Sequence, residues 1–230
     1  MKKIEKPVTI EKQDSFKTIL SKYGALALDK QENLSELIGD KTGNLDIEKG
    51  VLTFGEMVLP VQILGFFMQE TRQWSWAWDN EEIFTEKLIE SALQIKAVGE
   101  EFEIPEFTTP LLNATYDDCH TLAMVSSGIL AMDAYYAVSQ DGLDIFVLIK
   151  SDMILENDSA KKFRDTFYTF QKNFNIYPKI AFESYTKLKG YGFKPHDDFA
   201  LAKIGEARVM AGFTDRGNVT RLLIFGDDDR

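Results

Sequence analysis

Three tryptophans, all that the chain contains, stand two residues apart in Trp74-Ser75-Trp76-Ala77-Trp78-Asp79-Asn80. Side chains of an extended strand alternate between its faces, so Trp74, Trp76 and Trp78 project from one face and Ser75 and Ala77 from the other. Three indoles in a row need a large apolar cover, which the next helix can supply. Asn80 or Asp79 suits the N-cap of that helix, and Glu81 and Glu82 would then complement the positive end of its dipole. The same stripe also reads as an aromatic platform for a sugar, a peptide or a cation, with Trp74, Trp76 and Trp78 as binding residues. Large aromatics pack more often than they bind, so the core reading comes first.

Elsewhere helical periodicity alternates with hairpin signals. Phe16, Ile19, Tyr23, Ala27, Leu34 and Leu37 mark a helix over Ser15–Ile38, ended by Gly39–Asn44. Leu45–Ile47 and Val51–Phe54 suit a hairpin across Glu48-Lys49-Gly50, and Val61–Gln69 with Gln73–Trp78 a second across Glu70-Thr71-Arg72. Phe84, Leu88, Ala92, Ile95 and Phe102 mark the helix after the tryptophans. Two prolines keep Ile104–Pro110 from being helical throughout. A helix over Tyr116–Met132 leads into a hairpin of Ala134–Ser139 and Leu143–Ile149 around Gln140-Asp141-Gly142. Phe163, Phe167, Phe170 and Phe174 form an amphipathic stripe, followed by a helix over Lys179–Lys189 that ends at Gly190 and Gly192. Ala207–Thr214 and Val219–Phe225 make a last hairpin across Asp215-Arg216-Gly217-Asn218.

Helices mixed with antiparallel hairpins define an α+β fold and argue against parallel βαβ units. A junction at Ser151–Ser159 divides the chain into lobes 1–150 and 151–230. One terminal hairpin cannot cover four phenylalanines, so the stripe is expected to be buried and to touch the first lobe as well.

Length and composition set the classes to consider. With 230 residues, 44% of them hydrophobic, the chain can bury a sizeable core. Thirty-seven acids against 26 bases give a net charge of −11, which repels nucleic acid and anionic membranes and suits a basic protein partner. The single cysteine, Cys119, excludes an internal disulfide framework. The opening MKKIEKPVTIEKQDSF has no apolar run after its lysines and does not read as a signal peptide. Val58–Met68 is too short to span a bilayer. These features lead to the expectation of a cytoplasmic protein.

Leu64-Gly65-Phe66, the tryptophan motif, Ala92-Leu93 in the following helix and Pro105-Glu106-Phe107-Thr108-Thr109-Pro110 together resemble a family of uncharacterised bacterial domains. That family is marked by Trp-x-Trp-Ala-Trp-x-Asn, a helix and a proline-flanked loop, and the resemblance spans roughly residues 15–150. It implies a bacterial source, and it carries no activity, cofactor or catalytic residue with it.

Groups fit for chemistry are few. Asp117-Asp118-Cys119-His120 looks reactive, but neighbours on a helix do not face each other, so Cys119 and His120 do not form a nucleophile pair. Asp117 and His120 would suit a metal, completed by His196, Asp197 and Asp198. Thr115 and Asp118 suit a helix cap instead, with Cys119 an inert core thiol beside Leu122 and Ala123. Gly190-Tyr191-Gly192 reads as a turn, and Glu100-Glu101 and Asp227-Asp228-Asp229 as solvated charge. No metal, cofactor or catalytic residue is therefore expected. The leading expectation is a non-catalytic interaction protein, in one version immunity- or antitoxin-like. The alternative is an enzyme or small-ligand binder with a pocket between the lobes drawing on His120, Tyr135, Tyr136 and His196.

Overall fold

A computed structural model describes residues 8–80, 82–140 and 142–226. These form six α-helices and two antiparallel sheets, an α+β fold. The chain separates into two compact units, and one division falls inside the first helix, α1 (Phe16–Ile38), between Asp29 and Lys30. The central unit is Lys30–Leu155, and the terminal unit combines the described residues up to Asp29 with those from Glu156 onward.

In the central unit a single long strand, β3 (Met57–Met68), organises seven strands. Its first half pairs with β2 (Val51–Phe54), which pairs with β1 (Asn44–Asp46). Its second half pairs with both β4 (Gln73–Trp76) and β7 (Leu143–Ile149). β5 (Leu111–Asn113) extends the sheet beyond β4, and β6 (Ala134–Gln140) beyond β7. Three helices accompany the sheet: α2 (Glu86–Phe102), the single turn α3 (Pro105–Thr108) and α4 (Tyr116–Ile129). Ser91 of α2 is tied to β3, its amide donating to Gln62 Oε1 at 2.8 Å. α4 starts at a full capping box: Asp118 N donates to Thr115 Oγ1 at 3.2 Å, and Thr115 N to Asp118 Oδ2 at 2.8 Å.

Two expectations about the tryptophan segment need correction. β4 ends at Trp76, because Ala77–Asn80 closes into a 3₁₀ turn, so Trp78 is not on the strand. Asn80 folds back, its Nδ2 donating to Trp76 O at 3.1 Å and Ser75 Oγ at 3.2 Å, and it does not cap α2. That helix begins at Glu86 with Thr85 in the cap position and no side-chain cap bond. Phe84 precedes it and stacks on Phe66, centroids 5.5 Å apart. Glu81, Asp141 and Asp227–Asp229 lie outside the described residues.

In the terminal unit Phe16–Asp29 of α1 joins α5 (Ala160–Asn173), α6 (Pro178–Leu188) and a four-stranded sheet in the order β11-β10-β9-β8. The strands are β8 (Gly192–Pro195), β9 (Phe199–Ile204), β10 (Ala207–Phe213) and β11 (Val219–Phe225). The sequence reading missed β8 and β9, and β5 in the other unit. Phe163, Phe167 and Phe170 are buried, while Phe174, one residue past α5, is half-buried against Phe170. Phe163 stacks on Tyr185 at 4.3 Å, and Phe167 meets Phe182 edge-on at 5.1 Å. Phe170 lies on α1 where a Cβ on Gly24 would come within 2.5 Å of its ring, so only glycine admits this approach.

Charge completes the same packing. Asp29, 2% exposed, meets Lys162 at 3.1 Å and Lys189 at 3.2 Å, and accepts from Tyr185 Oη at 2.9 Å. Burial alone would lower the Lys189 ammonium; Asp29, with Asp158, more than reverses this and holds it above the ordinary lysine range. This packing explains how the division differs from lobes 1–150 and 151–230. The break at Leu155/Glu156 falls inside Ser151–Ser159, but the first half of α1 groups with the C-terminal segment. The Phe stripe thus meets residues numbered with the first lobe that belong to the terminal unit. Among the described residues no helix is long and apolar enough to cross a membrane.

Candidate functional site

The indoles of Trp74 and Trp76 are fully buried and Trp78 nearly so, which leaves no open aromatic platform. Trp76 meets Trp74 edge-on at 5.2 Å and Phe107 at 6.1 Å, stacks on Trp78 at 6.5 Å, and donates from Nε1 to Glu106 O at 3.1 Å. Trp74 packs against Gly65 of the neighbouring strand, β3. A Cβ on Gly65 would stand 2.4 Å from its ring and 2.7 Å from Ser75 O, so Gly65 is required by backbone as well as by side chain. The Lys96 ammonium sits over Trp78 at 4.5 Å, a cation–π contact at the edge of this core.

His120 and Tyr135 do meet, with Nδ1 and Oη 3.2 Å apart, in a cage completed by the rings of Tyr116 at 4.5 Å and Phe146 at 5.1 Å. Burial lowers His120 below the ordinary imidazole range, against the weaker pull of Asp117 and Asp144. It is a neutral imidazole at neutral pH. Tyr136, next along the strand, faces the other way, edge-on to Phe54 at 5.1 Å, with its Oη accepting from Gly43 N. His196 belongs to the terminal unit, stacked on Phe199 at 4.1 Å. Within the central unit, then, the alternative set reduces to one pair, a half-buried His120 against a buried Tyr135.

Cys119 is buried, and burial, with Asp118 and Asp144 acting in the same direction, pushes its thiol up to about 12. A thiol held protonated is a poor nucleophile. Among the described residues no three His, Cys, Asp or Glu side chains gather as a metal site would require.

What composition alone conceals is where the charge lies. Lys30–Leu155 carries 22 acids against seven bases, net −15, whereas the remaining stretches carry 19 bases against 15 acids, net +4. The outer face of α2 concentrates the acid: Glu86, Glu90, Glu100 and Glu101 are all exposed, and Glu103 occupies the C-cap. No basic residue stands in its last turn. Carboxylates at the negative end of a helix oppose its dipole, by about 0.3–1 kcal/mol each when exposed. Counting charge by segment would have exposed this asymmetry, but only with the unit boundaries in hand.

Fold and sites define a two-unit α+β protein with an aromatic core and an acid-rich central unit. The chain belongs to the family of unknown function DUF6882, which matches residues 17–152. No curated protein and no solved structure matches it. The matched stretch holds the tryptophan core and the acidic face of α2, while α5, α6 and the four-stranded sheet lie beyond it.

Proposed function

We propose that this is a non-catalytic interaction protein whose central unit presents the outer face of α2 to a basic surface of a protein partner. The observation that carries this reading is the placement of Glu100, Glu101 and Glu103 at the end of α2, where acids work against helix stability. A local cost of this kind points to a use outside the helix itself. The buried, protonated thiol of Cys119 and the half-buried His120, packed among Tyr116, Tyr135 and Phe146, add support. An immunity- or antitoxin-like role, neutralising a basic toxin in a bacterial cytoplasm, is the concrete form we favour, drawing on the family resemblance and the net charge of −15.

A pull-down from the source cells at low salt, followed by association rates of the recovered partner, tests the reading. The rate should fall steeply between about 0.05 M and 0.5 M salt, as screening shortens the range of attraction. The triple change Glu100→Lys, Glu101→Lys and Glu103→Lys should slow association by about tenfold or more while leaving the fold intact. Recovery of no protein partner, together with turnover or tight binding of a small metabolite, would replace this reading with an enzyme or a small-ligand binder.

A further inference from the structure

The sheet of the terminal unit has two unlike faces. Ala200, Ala202, Val209, Ala211 and Phe213 point to the helices and are buried, with Phe182 of α6 edge-on to Phe213 at 6.3 Å. The alternate residues build the opposite face, and the strand register sets them in rows. The middle row is Leu223, Met210, Leu201 and Lys194. One flanking row is Phe225, Arg208, Lys203 and Gly192; the other is Arg221, Gly212 and Phe199. Leu223 and Phe225 are 39% and 48% exposed, and the four cations Lys194, Lys203, Arg208 and Arg221 are all exposed.

Two features show that this face is more than an ordinary solvated one. It holds four cations and no carboxylate in any row, and among the described residues none of the four forms an ion pair. Moreover, Arg208 and Lys203 are direct cross-strand partners. Like charges in that position destabilise a sheet. A Cβ on Gly212 would stand 2.7 Å from Thr220 Oγ1 and 3.0 Å from Arg221 Cγ, so the glycine lets both of these side chains approach the strand.

We propose that this face docks an acidic amphipathic segment of a protein partner, apolar side chains on Leu223, Met210 and Leu201 and carboxylates on the surrounding cations. The inference is independent of the acidic face of α2 and concerns the other unit. An aliphatic centre with a charged surround is the anatomy of a protein interface. A single nucleic-acid strand needs aromatic platforms for its bases, but Phe199 and Phe225 stand in different rows on non-adjacent strands. Four strands about 4.8 Å apart and six residues at about 3.4 Å give a patch of about 400 Å². Half of what a stable complex buries per partner implies reversible, micromolar binding.

The test is an NMR titration of the ¹⁵N-labelled full chain with three probes. The first is a synthetic peptide of about 18 residues with a leucine stripe at helical spacing flanked by glutamate. The second replaces every glutamate by lysine, and the third is a single-stranded oligothymidylate. The glutamate peptide should shift backbone amides of β9–β11 with a dissociation constant on the order of 10–100 μM, and neither other probe should do so. Arg208→Glu should weaken that binding by about tenfold while raising the melting temperature, because it turns a cross-strand repulsion into an attraction. Opposite movements of binding and stability separate loss of the site from damage to the fold. The proposal fails if the glutamate peptide leaves β9–β11 unmoved at about 1 mM, or if the lysine peptide binds equally well. It fails too if the oligonucleotide binds more tightly, if Arg208→Glu leaves peptide binding unchanged, or if these amides shift with protein concentration alone, which would make a second copy the occupant.

Discussion

The two units solve the same packing problem with different materials. The central unit encloses an aromatic centre of Trp74, Trp76, Trp78 and Phe107, and its net charge of −15 exceeds the −11 of the whole chain. The terminal unit packs phenylalanines as well, but sets a buried carboxylate, Asp29, between Lys162 and Lys189, and carries a small positive excess. A whole-chain charge of −11 therefore describes neither unit. Partner sign must be argued unit by unit, because fields decay over about 10 Å at 0.1 M salt, less than the span of either unit.

Each half of the comparison can be broken by a single substitution. The largest effect should come from Trp76→Ala, which empties a fully buried site and should cost about 3–5 kcal/mol. All three tryptophans lie in the central unit, so the fluorescence of Trp74 and Trp78 reads its unfolding directly. An unchanged midpoint in denaturant would mean that the indoles are not the core. In the terminal unit Asp29→Ala removes the buried carboxylate that Lys162, Lys189 and Tyr185 share and should cost about 3 kcal/mol, measured by circular dichroism. A loss well under about 1 kcal/mol would show the pairs to be solvated like surface ones.

Smaller effects sharpen the contrast. Gly65→Ala forces a methyl group against Trp74 and Ser75 O and should cost about 1–3 kcal/mol through overpacking. Because the obstacle is partly backbone, an additional Trp74→Phe change should restore only part of the loss.

The smallest effect belongs to His120, whose folded-state pKa lies below its unfolded value of about 6.5 because of burial. Its neutral form is favoured by folding, so the stability it contributes is complete above about 6.5 and declines as pH falls from there towards the folded value. Urea titrations at pH 7.5 and 5.5 should show a smaller acid loss for His120→Gln than for the parent, and equal losses would place His120 in water.

Much of this was legible beforehand where the determinants are local. Thr115 and Asp118 announce the start of α4, and the Phe163, Phe167 and Phe170 spacing announces α5, because caps and helical faces act within one or two turns. The Trp segment misled for a related reason: period two predicts a strand, but Asn80 reaching back to Trp76 O closes a 3₁₀ turn that outweighs the pattern at Trp78. β8 and β9 escaped notice because Gly190 and Gly192 read as a turn and the alternation in Phe199–Ile204 rests largely on alanine.

By itself, then, the sequence determined the order of helices and hairpins, the caps and the apolar stripes, all set by neighbours along the chain. Tertiary structure alone decided that half of α1 belongs with α5 and α6, a choice made by contacts such as Tyr185 Oη to Asp29, 156 positions apart. It also decided that Arg208 faces Lys203 on an open sheet. Register between strands sets that meeting, and register follows from which face the packed helices bury.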